Sequence, residues 1–282
     1  MSIKSIAYFP KSVALNGRDV LDAFLQSCRA LGITPVENSL DADCAVIWSV
    51  LWNGRLAANQ RVYTHYMHHN KPVIVIDVGA LKRGETWKVA LENINANGYY
   101  GHLDHLDMDR PKKLGLELKT QTENNGAIVI AAQHRQSEQV RGIDIEKWVV
   151  KTFYDLREYT DRPIIIRPHP RCTVNMDQLP IDATVEKPIK VDGTYDSFDL
   201  TYNWYALVNY NSGPGIQAAI AGCPIIVNES SLAYPVSEEI KNIESLSNRN
   251  KEMWFTQIAH TEYTVDEIRS GSWYKRLEGQ LI

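Results

Sequence analysis

Apolar residues along this chain come in short solid runs, with helically spaced stretches between them. SIAYFP (5–10), CAVIWSVLW (44–52) and PVIVIDVG (72–79) read as strands, the last stopped by Gly79. RDVLDAFLQSCRALG (18–32) places Val20, Leu21, Phe24, Leu25, Cys28 and Leu31 on one helical stripe closed by Gly32. ITPVENS (33–39) predicts a short strand or loop, and RLAANQRVYTHYMHHN (55–70) a helix. TWKVALENINANG (86–98) predicts another helix, ending at Gly98. Continuous Val/Ile runs separated by helices indicate a parallel sheet covered on both faces.

Between Asn97 and Gly126 the pattern lapses into polar and aromatic residues without periodicity, and a boundary is expected around TENNG (122–126). The alternation then restarts. AIVIAAQ (127–133), PIIIRPHPR (163–171), YALVNYNS (205–212) and CPIIVNES (223–230) predict strands, with a weaker one near ATVEKP (183–188). IEKWVVKTFYDLREYT (145–160) and GIQAAIAG (215–222) predict helices. From Ser237 the tail reads as helical and aromatic, with Trp254, Phe255, Tyr263, Trp273 and Tyr274. The expected organisation is a Rossmann-like domain over 1–125, a second over 126–236, and a helical segment over 237–282 packing back across both. The fold class is α/β, with two doubly wound domains and a cleft between them.

Composition narrows the class. The chain has 282 residues, 44% hydrophobic and 23% charged, as in ordinary globular proteins. It contains no run of eighteen apolar residues and no signal-peptide pattern at its start, so a cytoplasmic protein without a membrane partner is expected. Cys28, Cys44, Cys172 and Cys223 lack metal-site or disulfide-scaffold spacing and read as incidental thiols. Up to Gly126 there are 14 Lys and Arg against 13 Asp and Glu, or +1; beyond it 16 stand against 21, or −5. The first half would receive a polyanion better than the second.

Three segments carry candidate chemistry. ALVNYNSGPGIQAAIAGCPIIV (206–227) runs a strand through Asn211, Ser212, Gly213 and Gly215 straight into a helix of small residues. Glycine lets backbone approach a ligand closely, Ser212 can cap the helix, and a helix start attracts phosphate. The segment is neither a P-loop nor a complete G-x-G-x-x-G, and a tight turn that binds nothing is the alternative. RPHPR (167–171) sets His169 between prolines, with Arg167 and Arg171 as cations whose planar forks suit phosphate oxygens. A strand-end turn with a hydrogen-bonded histidine is its alternative. Asp77, at the end of a first-half strand in IDVGALKRG, is a candidate general base or else a turn-forming aspartate. His65, His68 and His69 crowd one helix end without a spaced carboxylate partner, and no metal site is expected. No G-x-S-x-G elbow is present.

RPHPR followed by NSGPGIQAAIAGCPIIV resembles the donor-binding half of GT-B glycosyltransferases, specifically over about 127–235. It is similar to the capsule-polysaccharide type and to nucleotide-sugar 2-epimerases of that architecture, although Gln217 and Ala218 depart from the epimerase pattern. The resemblance implies metal-independent transfer of a sugar from a nucleotide-sugar, UDP-linked by preference, as co-substrate and with no further cofactor. It implies Arg167, His169, Arg171, Asn211, Ser212, Gly213 and Gly215 near the diphosphate and Glu229 near the ribose. The stretches IDVGALKRGETWKVALENIN and GYYGHLDHLDMDRPKKLGL resemble small phage-encoded glycosyltransferases that modify hydroxymethylated pyrimidines in DNA. That likeness implies 5-hydroxymethylcytosine in DNA as acceptor and the host cytoplasm as location. Arg55, Arg61, Lys82, Arg83, Lys88, Arg110, Lys112 and Lys113 would face phosphates, and Tyr99, Tyr100 and His102 would stack on an extruded base. Capsule-glycan transfer, epimerisation and nucleotide-sugar binding without catalysis are the alternatives.

Overall fold

A computed structural model describes residues 3–104, 106–121, 126–172, 174–175, 179–180, 182–190, 203–247 and 249–281. In chain order the elements are β1 (Ser5–Tyr8), α1 (Arg18–Ala30), β2 (Thr34–Glu37), β3 (Cys44–Trp48), α2 (Ala58–His68), β4 (Val73–Val78), β5 (Thr86–Leu91) and α3 (Arg110–Lys113). They continue with β6 (Ile128–Ala131), α4 (Ile145–Arg157), β7 (Ile164–Arg167), β8 (Thr184–Val185), β9 (Ala206–Asn209), α5 (Gly213–Ile220) and β10 (Ile225–Val227). The last elements are α6 (Glu252–Ala259), β11 (Glu262–Thr264), α7 (Val265–Arg269) and α8 (Ser272–Leu277). The chain divides into two compact units: residues 1–107 with 136–139 and 257–282, and residues 108–135 with 140–256. The division after Asp107 differs from the expected boundary at 125/126, whose residues 122–125 lie outside the described ones. The expected helical tail is shared out, since only its part from Gln257 joins the first unit.

The first unit holds a six-stranded sheet in the order β11-β5-β4-β3-β1-β2. Strands β1 to β4 pair in parallel, whereas β5 pairs antiparallel to both β4 and β11. The helix expected over 86–98 is therefore a strand in its first six residues. TWKVAL is buried throughout and alternates faces: Trp87, Val89 and Leu91 enter one core with Ile74 and Ile76, while Thr86, Lys88 and Ala90 point the other way. Its Thr, Trp and Val suit a pleated surface better than a helix. On the Trp87 face, α1 buries Val20, Leu21, Phe24, Leu25 and Cys28, and Gly32 ends the turn at φ +76. The tail completes that layer: Trp273 stacks on Phe24 with centroids 4.4 Å apart, and its Nε1–H donates to Ser27 Oγ at 2.9 Å. On the opposite face α2 packs Val62 and Tyr66 against Val73 and Val75.

The second unit is an all-parallel five-stranded sheet in the order β10-β9-β6-β7-β8. Strands β6 and β9 are buried throughout. Ile128, Ile130, Ile164, Ile166, Ala206 and Val208 meet Val149, Phe153 and Leu156 of α4 on one side. Asp144 caps α4, accepting from the N–H groups of Glu146 and Lys147.

Candidate functional site

Strand order locates the site of the second unit. From β6 the chain adds β7 and β8 on one side, then β9 and β10 on the other, so the order reverses between β6 and β9. In open parallel sheets, ligands bind outside the carboxyl ends of the strands at such a reversal. Register puts Arg167, Ala131, Asn209 and Val227 in one row across β7, β6, β9 and β10. The loops that follow these four residues leave one edge at strand spacings of about 4.8 Å. Those loops carry His169, then Gln133 and His134, then Asn211 to Gly213, and then Glu229.

Hydrogen bonds knit the loops together. The Asn211 N–H donates to Gln133 Oε1 at 3.3 Å, and Asn211 Nδ2 donates to Ser230 Oγ at 2.9 Å. Asn209 Nδ2 donates to the Ser212 carbonyl at 3.1 Å and to Ser212 Oγ at 2.7 Å. Ser212 stands at the N-cap of α5 but makes no side-chain cap hydrogen bond, so its expected capping role is corrected. Its hydroxyl is held by Asn209 instead. Gly215 also serves a different purpose from the one expected. A Cβ there would come within 2.8 Å of Asn209 Oδ1 and 3.1 Å of Val227 Cγ1, so the missing side chain lets α5 settle onto β9 and β10. Gly213 opens α5, whose first turn points its N–H groups along the helix axis toward this edge.

RPHPR is a closed turn. The Cys172 N–H donates to the His169 carbonyl at 3.0 Å, and the Arg171 N–H donates to His169 Nδ1 at 3.1 Å. With Nδ1 accepting, a neutral His169 carries its proton on Nε2 and can donate from there. Its ring lies edge-on to His134, with centroids 5.1 Å apart. His134 is 6% exposed, and burial, then Arg171 and Arg135, hold its pKa below the usual histidine range. Arg171 is exposed, whereas Arg167 is 8% exposed and places its guanidinium 5.4 Å from the Trp204 ring centroid. Arg167 is thus packed inside the unit rather than displayed. Glu229 is exposed just beyond β10. His134 and Gln133 carry no motif of their own. Their signal was position, directly after the strand that begins the second alternation.

In the first unit, Asp77 occupies the penultimate position of β4 and is half-buried. Ser49, in the left-handed region at φ 62, donates its hydroxyl to Asp77 Oδ2 at 2.9 Å. The Val78 N–H donates to Oδ1 at 2.7 Å. Burial raises the Asp77 pKa, against the pull of the Val78 N–H, the Ser49 hydroxyl, Lys88 and Arg83. Lys88 does not face solvent phosphates as expected, because β5 buries it to 6% exposure directly opposite Asp77.

The expected acceptor residues are divided between the two units. Arg83, Tyr99, Tyr100 and His102 belong to the first unit, Lys112 and Lys113 to the second. Arg83, His102, Lys112 and Lys113 are exposed. Tyr99 packs partly into the Trp87 core, with its ring 5.8 Å from His102. Tyr100 is interior at 9% exposure, its hydroxyl buried without a hydrogen-bond partner among the described residues, so it has no face to offer a base. Residues 99–101 are tied down instead: the Leu91 N–H donates to the Tyr99 carbonyl at 3.0 Å and Arg276 Nε donates to the Tyr100 carbonyl at 3.1 Å. Among the described residues, no helix is long and apolar enough to cross a membrane, and no three His, Cys, Asp or Glu are grouped to hold a metal ion.

No protein-family model matches the chain, and no curated protein matches it. Solved structures do. The KpsC β-Kdo 2,7-transferase of Thermosulfurimonas dismutans matches at 12% identity and a TM-score of 0.54, over 94% of this chain and 98% of that one. The KpsC β-Kdo 2,4-transferase of the same organism matches at 11% and 0.53, over 95% and 99%. The UDP-GlcNAc 2-epimerase of Methanocaldococcus jannaschii aligns over 95% and 97%, with 9% identity and a TM-score of only 0.33. At such identities the likeness is one of fold. The chain has the two-domain α/β fold of the GT-B glycosyltransferases.

Proposed function

We propose that the protein is a glycosyltransferase that moves a sugar from a nucleotide-sugar, UDP-linked by preference, to a hydroxyl acceptor. The observation that carries this reading is the strand reversal between β6 and β9, where His134, His169, Asn211 and the start of α5 gather at one sheet edge. The α5 N-terminus, the His169 Nε2–H and Arg171 would meet the diphosphate, with Arg167 adding positive field from its place on Trp204 and Glu229 reaching the ribose. These groups would stabilise the leaving diphosphate as the bond from the anomeric carbon to its oxygen breaks. Asp77 would take the acceptor's proton as that hydroxyl forms the new bond to the anomeric carbon. No metal is assigned a part in the reaction.

For the acceptor, a surface-glycan hydroxyl has the better support. The two structures reported above with TM-scores of 0.53 and 0.54 bear the name of Kdo transferases, and each matches this chain nearly end to end. The hydroxymethylcytosine reading loses Tyr100 and Lys88 from its contact surface. A panel of nucleotides and nucleotide-sugars, titrated calorimetrically into the wild type and into Asn211→Ala and His169→Ala, tests the donor site. Glycan acceptors and hydroxymethylated DNA, each incubated with the bound donors and weighed by mass spectrometry, test the transfer. Binding without any added mass would leave a nucleotide-sugar-binding protein, and absence of binding would end the reading altogether.

A further inference from the structure

Asp77, Lys88 and Glu262 stand side by side across three neighbouring strands. Asp77 pairs with Lys88 between β4 and β5, and Lys88 pairs with Glu262 between β5 and β11. Residues directly opposite one another point to the same face, with Cβ atoms about 5 Å apart. That face is the interior one on which Val75 and Ala90 are also paired. Lys88 is 6% exposed and Glu262 fully buried, so a carboxylate flanks a buried ammonium on each side.

The two carboxylates are differently occupied. Glu262 is saturated by its surroundings: Oε1 accepts the Ala80 N–H at 2.6 Å, and Oε2 accepts the Leu81 N–H at 3.1 Å and the Thr86 hydroxyl at 2.7 Å. Gly79 keeps that turn close, since a Cβ there would overlap both Glu262 Oε2 and the Thr86 carbonyl. Asp77 has the Ser49 hydroxyl and its neighbour's N–H. Lys88 Nζ donates to the Ile94 carbonyl at 3.5 Å, the outer limit of a hydrogen bond. One such contact does not repay the burial of an ammonium, so its charge has to be balanced by the carboxylates beside it.

We propose that Lys88 is a positioning residue for Asp77: its buried ammonium, one strand away, fixes the Asp77 side chain as a carboxylate at the strand end. The assignment rests on the reading of Asp77 as the acceptor's base. The other groups facing Asp77 are few. Arg83 approaches from the β4–β5 turn and Ser49 from the end of β3, while Glu262 lies beyond Lys88. The Tyr100 phenol, buried in the same field, is pushed well above the usual range by burial and by Glu262 and Asp77, and stays neutral. Helix α2 lays Val62 and Tyr66 on this face, the Tyr66 hydroxyl donating to the Ser39 carbonyl. Burial depresses Lys88 itself, while Glu262 and Asp77 hold it up. Of the two cations that work against the rise burial imposes on Asp77, Lys88 has the larger effect and Arg83 the smaller.

The test is Lys88→Met, which keeps the stem and removes the charge. Carboxyl carbon-13 titration of aspartate-labelled protein, with Asp77 assigned by its disappearance in Asp77→Asn, should show Asp77 binding its proton at least about 10-fold more tightly in the variant. The acid limb of the transfer rate should move upward in pH by the same amount. If Lys88→Met does not fold, the reciprocal measurement serves: nitrogen-15 titration of Lys88 in Asp77→Asn should show its proton held about 10-fold less tightly. An Asp77 titration unmoved in Lys88→Met, or a Lys88 titration unmoved in Asp77→Asn, overturns the proposal. These titrations do not depend on turnover. A shifted Asp77 in a protein that transfers no sugar supports the coupling while refuting the glycosyltransferase reading.

Discussion

Replacing Gly215 by alanine tests whether the loop proposed to hold the donor is shaped by helix-on-strand packing or by intrinsic helix preference. The added methyl would sit 2.8 Å from Asn209 Oδ1 and 3.1 Å from Val227 Cγ1. The first distance is roughly 0.7 Å inside the ~3.5 Å optimum for such contacts. Val227 is buried on the edge strand β10 and has little room to yield. Asn209 can swing away only by giving up its two hydrogen bonds to Ser212, at about 1 kcal/mol each. Overpacking of this kind costs ~1–3 kcal/mol. Alanine's better helix propensity returns about 1 kcal/mol. The net expectation is a loss of about 2 kcal/mol with a displaced Ser212. Hydrogen exchange of peptides covering β9 and α5 in urea would read the loss locally, even if the two units unfold separately. Nucleotide binding should weaken in parallel. If Gly215→Ala instead protects β9 and α5 better than wild type by about 1 kcal/mol, the close approach is absent and the glycine only weakens a helix.

Further outcomes follow from single contacts. Trp273→Ala should cost about 3–5 kcal/mol in urea unfolding of the first unit, because it empties a fully buried site stacked on Phe24; a loss below about 1 kcal/mol would mean the tail is not part of that core. Tyr100→Phe should leave stability unchanged or raise it by up to about 1 kcal/mol, since a hydroxyl without a partner is removed; a clear loss, with weaker binding of hydroxymethylated DNA, would restore Tyr100 to the acceptor site. Asp77→Asn should gain stability relative to wild type as pH rises from about 4, because the folded-state pKa of Asp77 lies above its unfolded value and wild type loses stability through that window; melting temperatures across pH check the sign, and the opposite trend would show that pairing with Lys88 outweighs burial.

Much of the architecture was readable because it is repetitive. Strands buried on both faces leave solid apolar runs, and β3, β4, β6, β7, β9 and β10 announce themselves this way, while β2 and β8 do not. The antiparallel additions do not. Thr86 to Leu91 carries a lysine in its middle and runs on into Asn-rich sequence, so it mimics a helix with one polar face. Its strand character comes from β4 and β11 on either side, and β11 is three residues long and some 170 positions downstream. In the second unit the glycine-rich turn and RPHPR were legible by composition, but the reasons differ from the composition's suggestion. Gly215 accommodates Asn209, Ser212 answers to Asn209, and Arg167 lies on Trp204. Gln133 and His134 could be found only from strand order, because nothing about AAQHR marks it as the loop beside the reversal.

The surroundings of Asp77 show why a site in such a fold resists local reading. The residue itself is easy to pick, since it ends a solid strand. What decides its chemistry is a row completed by Lys88 from an antiparallel neighbour and by Glu262 from the tail. Glu262 does two things at once: it gathers the Ala80 and Leu81 N–H groups that follow β4, and it flanks Lys88. The first use holds the turn just beyond Asp77; the second keeps an ammonium in the interior next to it. A buried carboxylate placed alone would drift toward its neutral form, and a buried lysine placed alone would lose its proton. Two carboxylates with one lysine between them leave one negative charge to be placed. Glu262 carries that charge among three neutral donors, so the Lys88 ammonium is left to balance Asp77 at the half-exposed end of the row. The short antiparallel edge that the tail adds to an otherwise parallel sheet is, on this reading, what lets the first unit carry a base at all.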